Sequence, residues 1–216
     1  MRRRRHLGIF GLLAIIAGLW ALDRYLPPDL HRWDERSSVL LAHDGTILHV
    51  ATTRDGMWRL GTRPEGVDSR YLAMLLAAED NRFRGHIGID PLAAARATWQ
   101  LLSTGRVVSG GSTLTMQVAR LLEPHPRSLA GKLHDIVRAV QLEERFGKDE
   151  ILAMYLTLAP FGGNVEGVRA ASLTWFGHEP DRLTPGEAAI LVALPQRPAA
   201  LRPDRHPARI LVAASR

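Results

Sequence analysis

Cysteine is absent from this chain of 216 residues, and lysine is rare. Without cysteine there can be neither a disulfide framework nor a zinc site built on thiolates, and such a composition suits an oxidising compartment. Nearly all of the 28 basic residues are arginine, and the only lysines are Lys132 and Lys148. The positions of these two lysines therefore carry more information than a lysine position usually does.

Several short motifs of known chemistry are missing as well. The nine histidines show no H-x-H or H-E-x-x-H spacing, so a zinc site built by the protein is not predicted. The glycines before Ser112 are not followed by the Gly-Lys-Ser/Thr of a P-loop, and Ser112 does not lie in a G-x-S-x-G elbow. These absences argue against a P-loop nucleotide site and against the usual serine nucleophile.

The net charge is +6 and the isoelectric point is about 10.6. Such an excess of positive charge favours an anionic partner, and nucleic acid, anionic lipid and phosphorylated substrates all qualify. The basic residues are scattered along the chain, apart from one cluster at the N-terminus that membrane topology explains. Nucleic acid is therefore the weakest of the three predictions.

The first 26 residues predict a membrane anchor. Four arginines, Arg2 to Arg5, precede an apolar run from Leu7 to Leu22, which as a helix would span about 24 Å against a hydrocarbon core of about 30 Å. The arginines favour a cytoplasmic N-terminus and place the remaining chain outside the cytoplasmic membrane. A cleaved signal peptide is the alternative, but no clean A-x-A cleavage pattern follows the run.

After the anchor, the chain divides into a linker with a hairpin (residues 27–66) and a mostly helical domain (residues 67–216). Pro27 and Pro28 mark the linker, and Asp44-Gly45 between two β-rich runs predicts the hairpin. Helical spacing of apolar residues and capping residues predict the helices. These run over Ser69–Asp80, Pro91 to about Leu102, Thr113–Leu122, Leu129–Phe146, Asp149–Leu158 and Val165–Phe176, with another opened by Thr184.

Three stretches could carry chemistry. AEDNRFRGHIGID (78–90) puts two acids at the end of a helix, where the helix dipole does not favour them. SGGSTLTMQVAR (109–120) presents backbone N–H groups at a helix start and could seat a phosphate. A third stretch places Lys132, Asp135 and Arg138 on one polar helix face. Taken singly, each of these is more often a solvated surface or an ordinary helix cap.

Together, in this order, the stretches resemble the peptidoglycan glycosyltransferase domain (glycosyltransferase family 51) of penicillin-binding proteins. The resemblance rests on EDNRF-x-x-H-x-G-x-D, GGSTLTMQVAR, GK-x-x-D, ILAMYL, FGGNVEGV and LTPGEAAILVALPQRP, and it extends from about Ser38 to Arg209. The motifs GGSTLTMQ, APFGG and LRPDR are similar to the 1C type. The resemblance implies a mainly α, lysozyme-like fold that polymerises lipid II outside the cytoplasmic membrane with inversion at the sugar carbon.

The resemblance also implies roles for individual residues. Glu79 matches the general base that activates the 4-hydroxyl of incoming lipid II, and Asp135 matches the second acidic residue of the site. Arg120 and Lys132 match basic positions near the pyrophosphate, on which Mg²⁺ or Mn²⁺ is expected. The other substrate-binding positions implied are Asp80, Phe83, His86, Ser112, Thr113 and Gln117. The implied partners are lipid II, the growing glycan strand, membrane lipid and proteins of wall synthesis.

The chain departs from this family pattern at several positions. Asp135 stands where the family usually has glutamate, and its carboxylate is set back by about 1 Å. Gly131, Met116 and Thr157 replace an arginine, a glutamine and an asparagine. No serine precedes a lysine by three residues and no K-T-G occurs, so a transpeptidase domain of the penicillin-acylating type is not present in this sequence. The closing helix is also shorter than the family leads us to expect.

Three functions remain open at the level of sequence. The first is a membrane-anchored glycosyltransferase that polymerises lipid II. The second is a lytic, lysozyme-like enzyme, which would need a general acid for a sugar leaving group. The third is an inactive lipid II-binding or scaffold module, which the substitutions Asp135 and Gly131 and the short closing helix suggest.

Overall fold

The computed structural model describes residues 24–104 and 111–215, and helices dominate it. The predicted anchor at residues 7–22 lies outside these ranges. Within them, no helix is both long and apolar enough to cross a membrane. The helices are α1 (His31–Asp34), α2 (Ser69–Glu79), α3 (Pro91–Thr104), α4 (Leu114–Leu122), α5 (Leu129–Arg145), α6 (Lys148–Leu158), α7 (Val168–Trp175), α8 (Pro185–Ala193) and α9 (Pro207–Ala214).

The predicted hairpin is present. Strand β1 (Val39–Leu41) pairs antiparallel with β2 (Ile47–Val50), with an irregularity between Leu40 and Leu41. The turn contains Asp44, whose carboxylate accepts a hydrogen bond from Thr46 N at 2.9 Å, and Gly45 at a φ of 84°. The positive φ at Gly45 explains why glycine follows the aspartate in this turn.

A second pair of strands is short and parallel, and it corrects one predicted boundary. Strand β3 (Trp58–Arg59) pairs with β4 (Val165–Glu166), so α7 begins at Val168 and not at Val165 as the apolar pattern predicted. Gly167 separates strand from helix at a φ of 86°, and a Cβ there would lie 2.7 Å from Thr157 O. This tight, left-handed position is invisible to hydrophobic periodicity.

Capping residues place the helix starts where the sequence predicts them. Asp90 accepts hydrogen bonds from Leu92 N and Ala93 N at the start of α3. Thr113 and Ser128 accept from backbone N–H groups of α4 and α5, and Thr184 forms a capping box with Glu187 at the start of α8. Each side chain satisfies a backbone donor that the helix itself leaves unpaired.

The core is centred on α6, whose residues from Ile151 to Leu158 are all buried. Helix α4 packs against α5 and α6, α2 packs against α8, and α8 packs against α9. This packing brings the C-terminal end of α2 close to α4 and to the first turns of α5. The three stretches that the sequence singles out therefore meet on one side of the molecule.

Candidate active site

The three stretches enclose a cavity of about 610 Å³. Most of its lining residues are polar or charged, and they come mainly from α2, α4, α5 and the loops that precede α4 and α5. The lining residues are Glu79, Ser112, Met116, Gln117, Arg120, Leu121, Arg127, Ser128, Lys132, Asp135, Tyr155, Pro160 and Pro195. Six of the predicted site residues thus share one cavity, although their positions in the sequence span 57 residues.

Glu79 is the last residue of α2, and its carboxylate is held by two amides. Gln117 Nε2 donates to Oε2 at 2.9 Å, and Gln196 Nε2 donates to Oε1 at 3.1 Å. The side chain is half-buried and carries no cationic partner in the described chain. Gln196 was not among the predicted site residues, and its only signal in the sequence is its place in LPQRP.

Asp80 faces a different set of partners. Its carboxylate lies 2.9 Å and 3.0 Å from His86 Nε2, and it accepts a hydrogen bond from Leu114 N at 2.8 Å. The carboxylate therefore occupies the N-terminus of α4, where a helix favours an anion. Part of the backbone seat that the sequence offers to a phosphate is taken by this side chain.

Phe83 and His86 support the loop that follows α2. Phe83 is buried, its ring packs edge-on against His86, and Lys148 Nζ lies 4.6 Å from its centroid. Lys148 also donates to His86 O and to Glu143 Oε1, both at 2.6 Å. Neither Phe83 nor His86 lines the first cavity, so both residues support the loop without facing that cavity.

The loop before α4 is pinned by hydroxyl groups. Thr113 Oγ1 donates to Gly88 O at 2.5 Å, and Ser112 Oγ accepts a hydrogen bond from Lys132 Nζ. Gly88 has a φ of 86°, and a Cβ there would lie 2.7 Å from Ala139 O. Glycine is therefore required at position 88 both by conformation and by space.

Three basic residues, Arg120, Arg127 and Lys132, line the same cavity as Glu79. Arg120 forms an ion pair with the buried carboxylate of Asp135. Burial lowers the pKa of Lys132, and the opposing effect of the Asp135 carboxylate does not offset it fully. Arg127 lines the same region and was not predicted, because its only context in the sequence is the position before the Ser128 cap.

The lowered pKa of Lys132 predicts a pH-dependent gain of stability when the charge is removed. The folded chain binds this proton less tightly than the unfolded chain, so the charged amine destabilises the fold at neutral pH. We expect Lys132→Met to unfold at a higher denaturant concentration than wild type near neutral pH. The difference should shrink as the pH rises towards 10.5, where the unfolded chain also loses the proton.

Lys148→Met is the matched control, because Lys148 is the only other lysine. It donates to Glu143 and to His86 O, so its removal should lower stability. Equilibrium unfolding followed by circular dichroism measures both variants. If both variants lower the free energy of unfolding by the same amount, the charged amine of Lys132 does not destabilise the fold, and the prediction is wrong.

His125 and His134 form a cluster with Asp135, which lines the cavity. The donor atoms of the three side chains lie within 4.8 Å of one another, which the spacing of histidines in the sequence does not reveal. A metal ion there would have to displace Arg120 from Asp135, and Glu123 already contacts His134 Nε2 at 2.9 Å. We therefore describe the cluster as an ion-pair network.

Gly131 leaves room for this cluster. A Cβ at position 131 would lie 2.5 Å from His125 Cδ2 and 2.8 Å from both His125 Nε2 and Pro126 O. The residue that replaces the family's arginine thus admits the ring of His125. The residue type at position 131, in the first turn of α5, therefore determines whether the ring of His125 fits.

We expect Gly131→Ala to destabilise the protein by about 1–3 kcal/mol, because the new methyl group overpacks against the imidazole and a backbone carbonyl. Gly186→Ala is the control, since Gly186 also lies in the first turn of a helix but has nothing within 4 Å of its Cβ position. The control should be neutral or stabilise by up to about 1 kcal/mol. Thermal unfolding of both variants tests the difference, and a neutral Gly131→Ala would refute the close packing.

A second cavity of about 740 Å³ is also lined by Glu79. It shares Glu79, Ser112 and Gln117 with the first cavity and adds residues of the loop after α2, of α3 and of the turn that holds Gln196. Glu79 therefore stands between two open spaces. Asp80 and Thr113 line only the second of them.

Two further departures from the family pattern have structural roles. Met116 is buried at the wall of the first cavity. Thr157 is fully buried in α6, and its Oγ1 accepts a hydrogen bond from Thr62 N at 3.0 Å. Thr157 therefore fastens the segment after β3 to the core helix.

The chain is similar to known proteins over most of its length. The family model described as "Transglycosylase" matches residues 46–216. The chain is 49% identical over 190 residues to penicillin-binding protein 1C of Escherichia coli, a match that covers 88% of this chain and 24% of that protein. It is 32% identical to penicillin-binding protein 1A of Pseudomonas aeruginosa over 209 residues, covering 93% of this chain and 25% of that protein.

A third relative is penicillin-binding protein 1A of Aquifex aeolicus, 40% identical over 146 residues, which are 67% of this chain and 20% of that protein. The matches thus span between a fifth and a quarter of the length of these relatives. The family match covers the cavity, the two carboxylates and the basic residues described above. The chain belongs to the transglycosylase family.

Proposed function

We propose that the chain is a peptidoglycan glycosyltransferase that polymerises lipid II into glycan strands. In this reaction the 4-hydroxyl oxygen of an incoming lipid II forms a bond to C1 of the growing strand. The bond between C1 and the undecaprenyl pyrophosphate breaks, and the configuration at C1 is inverted. The hydroxyl proton passes to a base, and the pyrophosphate departs as an anion.

The observation that carries this proposal is the position of Glu79 between two cavities. A glycosyl transfer needs a base at the boundary of an acceptor and a donor site, within hydrogen-bond reach of the attacking hydroxyl. Glu79 faces both spaces, and the amides of Gln117 and Gln196 orient its carboxylate. Amide donors hold the carboxylate without supplying a positive charge that would weaken it as a base.

The basic wall of the first cavity suits the leaving group. A departing pyrophosphate requires positive charge more than it requires a proton. Arg120, Arg127 and Lys132 line this wall, and Lys132 is partly desolvated, so an anion that enters the cavity would restore favourable surroundings to its ammonium group. Asp135 orients Arg120 through their ion pair.

Mg²⁺ or Mn²⁺ is expected on the substrate pyrophosphate. Such ions prefer oxygen ligands and are commonly held by one or two carboxylates together with phosphate oxygens and water. Glu79 and Asp135 are the carboxylates that line the first cavity, and N–H donors already engage both. The described residues therefore offer no ready cage of their own, and the phosphates would supply most ligands for an ion that neutralises their charge.

We also propose a membrane-bound location, with the catalytic domain outside the cytoplasmic membrane. Large apolar side chains are exposed beside the second cavity: Ile87 at 72%, Leu92 at 67%, Trp99 at 72% and Leu102 at 77%. Three of them lie on α3, and such a patch suits contact with membrane lipid. The predicted anchor at residues 7–22 would hold the domain at that surface, where lipid II and proteins of wall synthesis would meet it.

The test uses the full chain in detergent with labelled lipid II and a divalent metal. Polymer that grows with time supports the proposal. Binding of a moenomycin-type inhibitor without any polymer would replace it with the scaffold function, and shortening of preformed glycan would replace it with the lytic one. Both of the latter outcomes overturn polymerisation as the function.

A further inference from the structure

His125 lies in the loop between α4 and α5, and it contacts acceptors with both ring nitrogens. Nδ1 lies 2.8 Å from Glu123 O, and Nε2 lies 3.0 Å from Gly131 O. Nε2 also lies 3.2 Å from Asp135 Oδ1. Carbonyl oxygens only accept hydrogen bonds, so a ring nitrogen can bond to one of them only when that nitrogen carries a proton.

The carboxylate of Asp135 is thereby held from two sides. Arg120 binds Oδ2, and the ring nitrogen Nε2 of His125 lies beside Oδ1. Asp135 is only 1% exposed, and its Oδ1 lies 3.2 Å from His125 Nε2 but forms no hydrogen bond of good geometry in this structure. A buried carboxylate oxygen without a hydrogen bond is costly, so the His125 ring beside Oδ1 is the polar group that limits this cost and the rotation of the side chain.

The ring of His125 reaches this position because position 131 has no side chain. A Cβ there would collide with the imidazole at 2.5 Å. In the family pattern, this position carries an arginine and position 135 a longer acid. Here Asp135, Gly131 and the ring of His125 pack together, and the absence of a side chain at position 131 makes room for the ring.

We propose that His125 is a positioning residue for Asp135, which it holds in register with Arg120 on the pyrophosphate side of the cavity. This inference rests on the proposed function. A carboxylate displaced by about 1 Å would move Arg120 with it, and misplacement on that scale can lower a rate by about a hundredfold. His125 acts through Asp135 and does not line the cavity itself.

Two amide substitutions separate the two ring nitrogens. The side-chain nitrogen of His125→Gln can occupy the place of Nε2 and keep the contact with Asp135. The side-chain nitrogen of asparagine in His125→Asn can occupy only the place of Nδ1, which contacts Glu123 O. We expect His125→Gln to retain most of the polymerisation rate and His125→Asn to lower kcat by about tenfold to a hundredfold with little change in KM.

His178 provides the matched control. Its Nδ1 contacts Glu179 O at 2.8 Å and its Nε2 contacts Glu187 Oε1 at 3.3 Å, so it joins a carbonyl to a carboxylate as His125 does, but away from both cavities. His178→Asn should leave kcat unchanged. Equal losses for His125→Asn and His125→Gln, or a loss confined to KM, would overturn the positioning role.

A second measurement does not depend on activity. In the full chain labelled with ¹⁵N-histidine, Asp135→Asn should shift the Nε2 resonance of His125 and leave the resonances of His178 in place. An unmoved His125 signal would sink the proposal even if all variants are active. If wild type makes no polymer at all, the proposed function fails, whereas the resonance shift still decides whether His125 and Asp135 form the pair.

Discussion

Replacing Glu79 with glutamine is expected to lower kcat for lipid II polymerisation by about 10²–10⁴-fold, the usual contribution of a general base. The substitution keeps the shape of the side chain but removes the acceptor for the hydroxyl proton. It also places an amide between Gln117 Nε2 and Gln196 Nε2, which now both donate to Glu79. One of these two amides must lose its acceptor or turn, so the loss includes a small structural part.

Glu79→Asp separates these two parts, because aspartate keeps the base and moves it back by about 1 Å. We expect its rate to lie between those of wild type and Glu79→Gln. Glu144→Gln is the control, because it also removes one carboxylate but at an exposed position of α5, and its polymerisation rate should equal that of wild type. The measurement is the initial rate of polymer formation, together with binding of a moenomycin-type inhibitor as a check that the site is intact. Polymerisation by Glu79→Gln at the wild-type rate would exclude Glu79 as the base.

The largest effect on stability is expected from Glu166→Gln. Glu166 is 5% exposed, and its carboxylate accepts from Arg59 Nε at 2.7 Å and from Arg32 Nη2 at 2.6 Å. Arg59 is fully buried and also donates to Asp55 and to the carbonyls of Arg32 and Glu35. Removing the Glu166 carboxylate leaves the buried guanidinium of Arg59 without its main negative partner, which lowers the free energy of unfolding by about 3–5 kcal/mol.

The control for this prediction is Glu179→Gln. Glu179 also binds an arginine through two hydrogen bonds, to Arg169 Nε and Nη2, but the carboxylate is 41% exposed. Exposed pairs contribute about 0–1 kcal/mol, so this variant should unfold close to wild type. Denaturant unfolding measures both variants, and a loss for Glu166→Gln no greater than that for Glu179→Gln would contradict the structural importance of the buried network.

Local chemistry decided most of the secondary structure, and the sequence alone was sufficient there. The caps at Asp90, Thr113, Ser128 and Thr184 and the Asp44-Gly45 turn act on the nearest backbone groups, so their residue types predict them. The start of α7 was the exception. Val165 and Glu166 pair with a strand more than a hundred residues earlier, and such long-range pairing overrides an apolar pattern that reads as helix.

The candidate site was predicted as a set of residues, but only the tertiary structure decided their partners. The sequence motifs identify Glu79, Asp80, Lys132 and Asp135 as special. Adjacent acids at the end of α2 diverge, because one side chain faces the amides across the cavity and the other caps α4. That division depends on how α2 packs against α4 and α8, which no local pattern contains.

The sequence by itself therefore determined the family, the mainly helical class and the order of the motifs, because these depend on residue types and spacing. The tertiary structure decided which groups share a cavity, which arginine pairs with which acid, and how His125 enters the space that Gly131 leaves open. Those contacts join residues that are distant in the chain, and their distances follow from helix packing, which is a property of the whole fold.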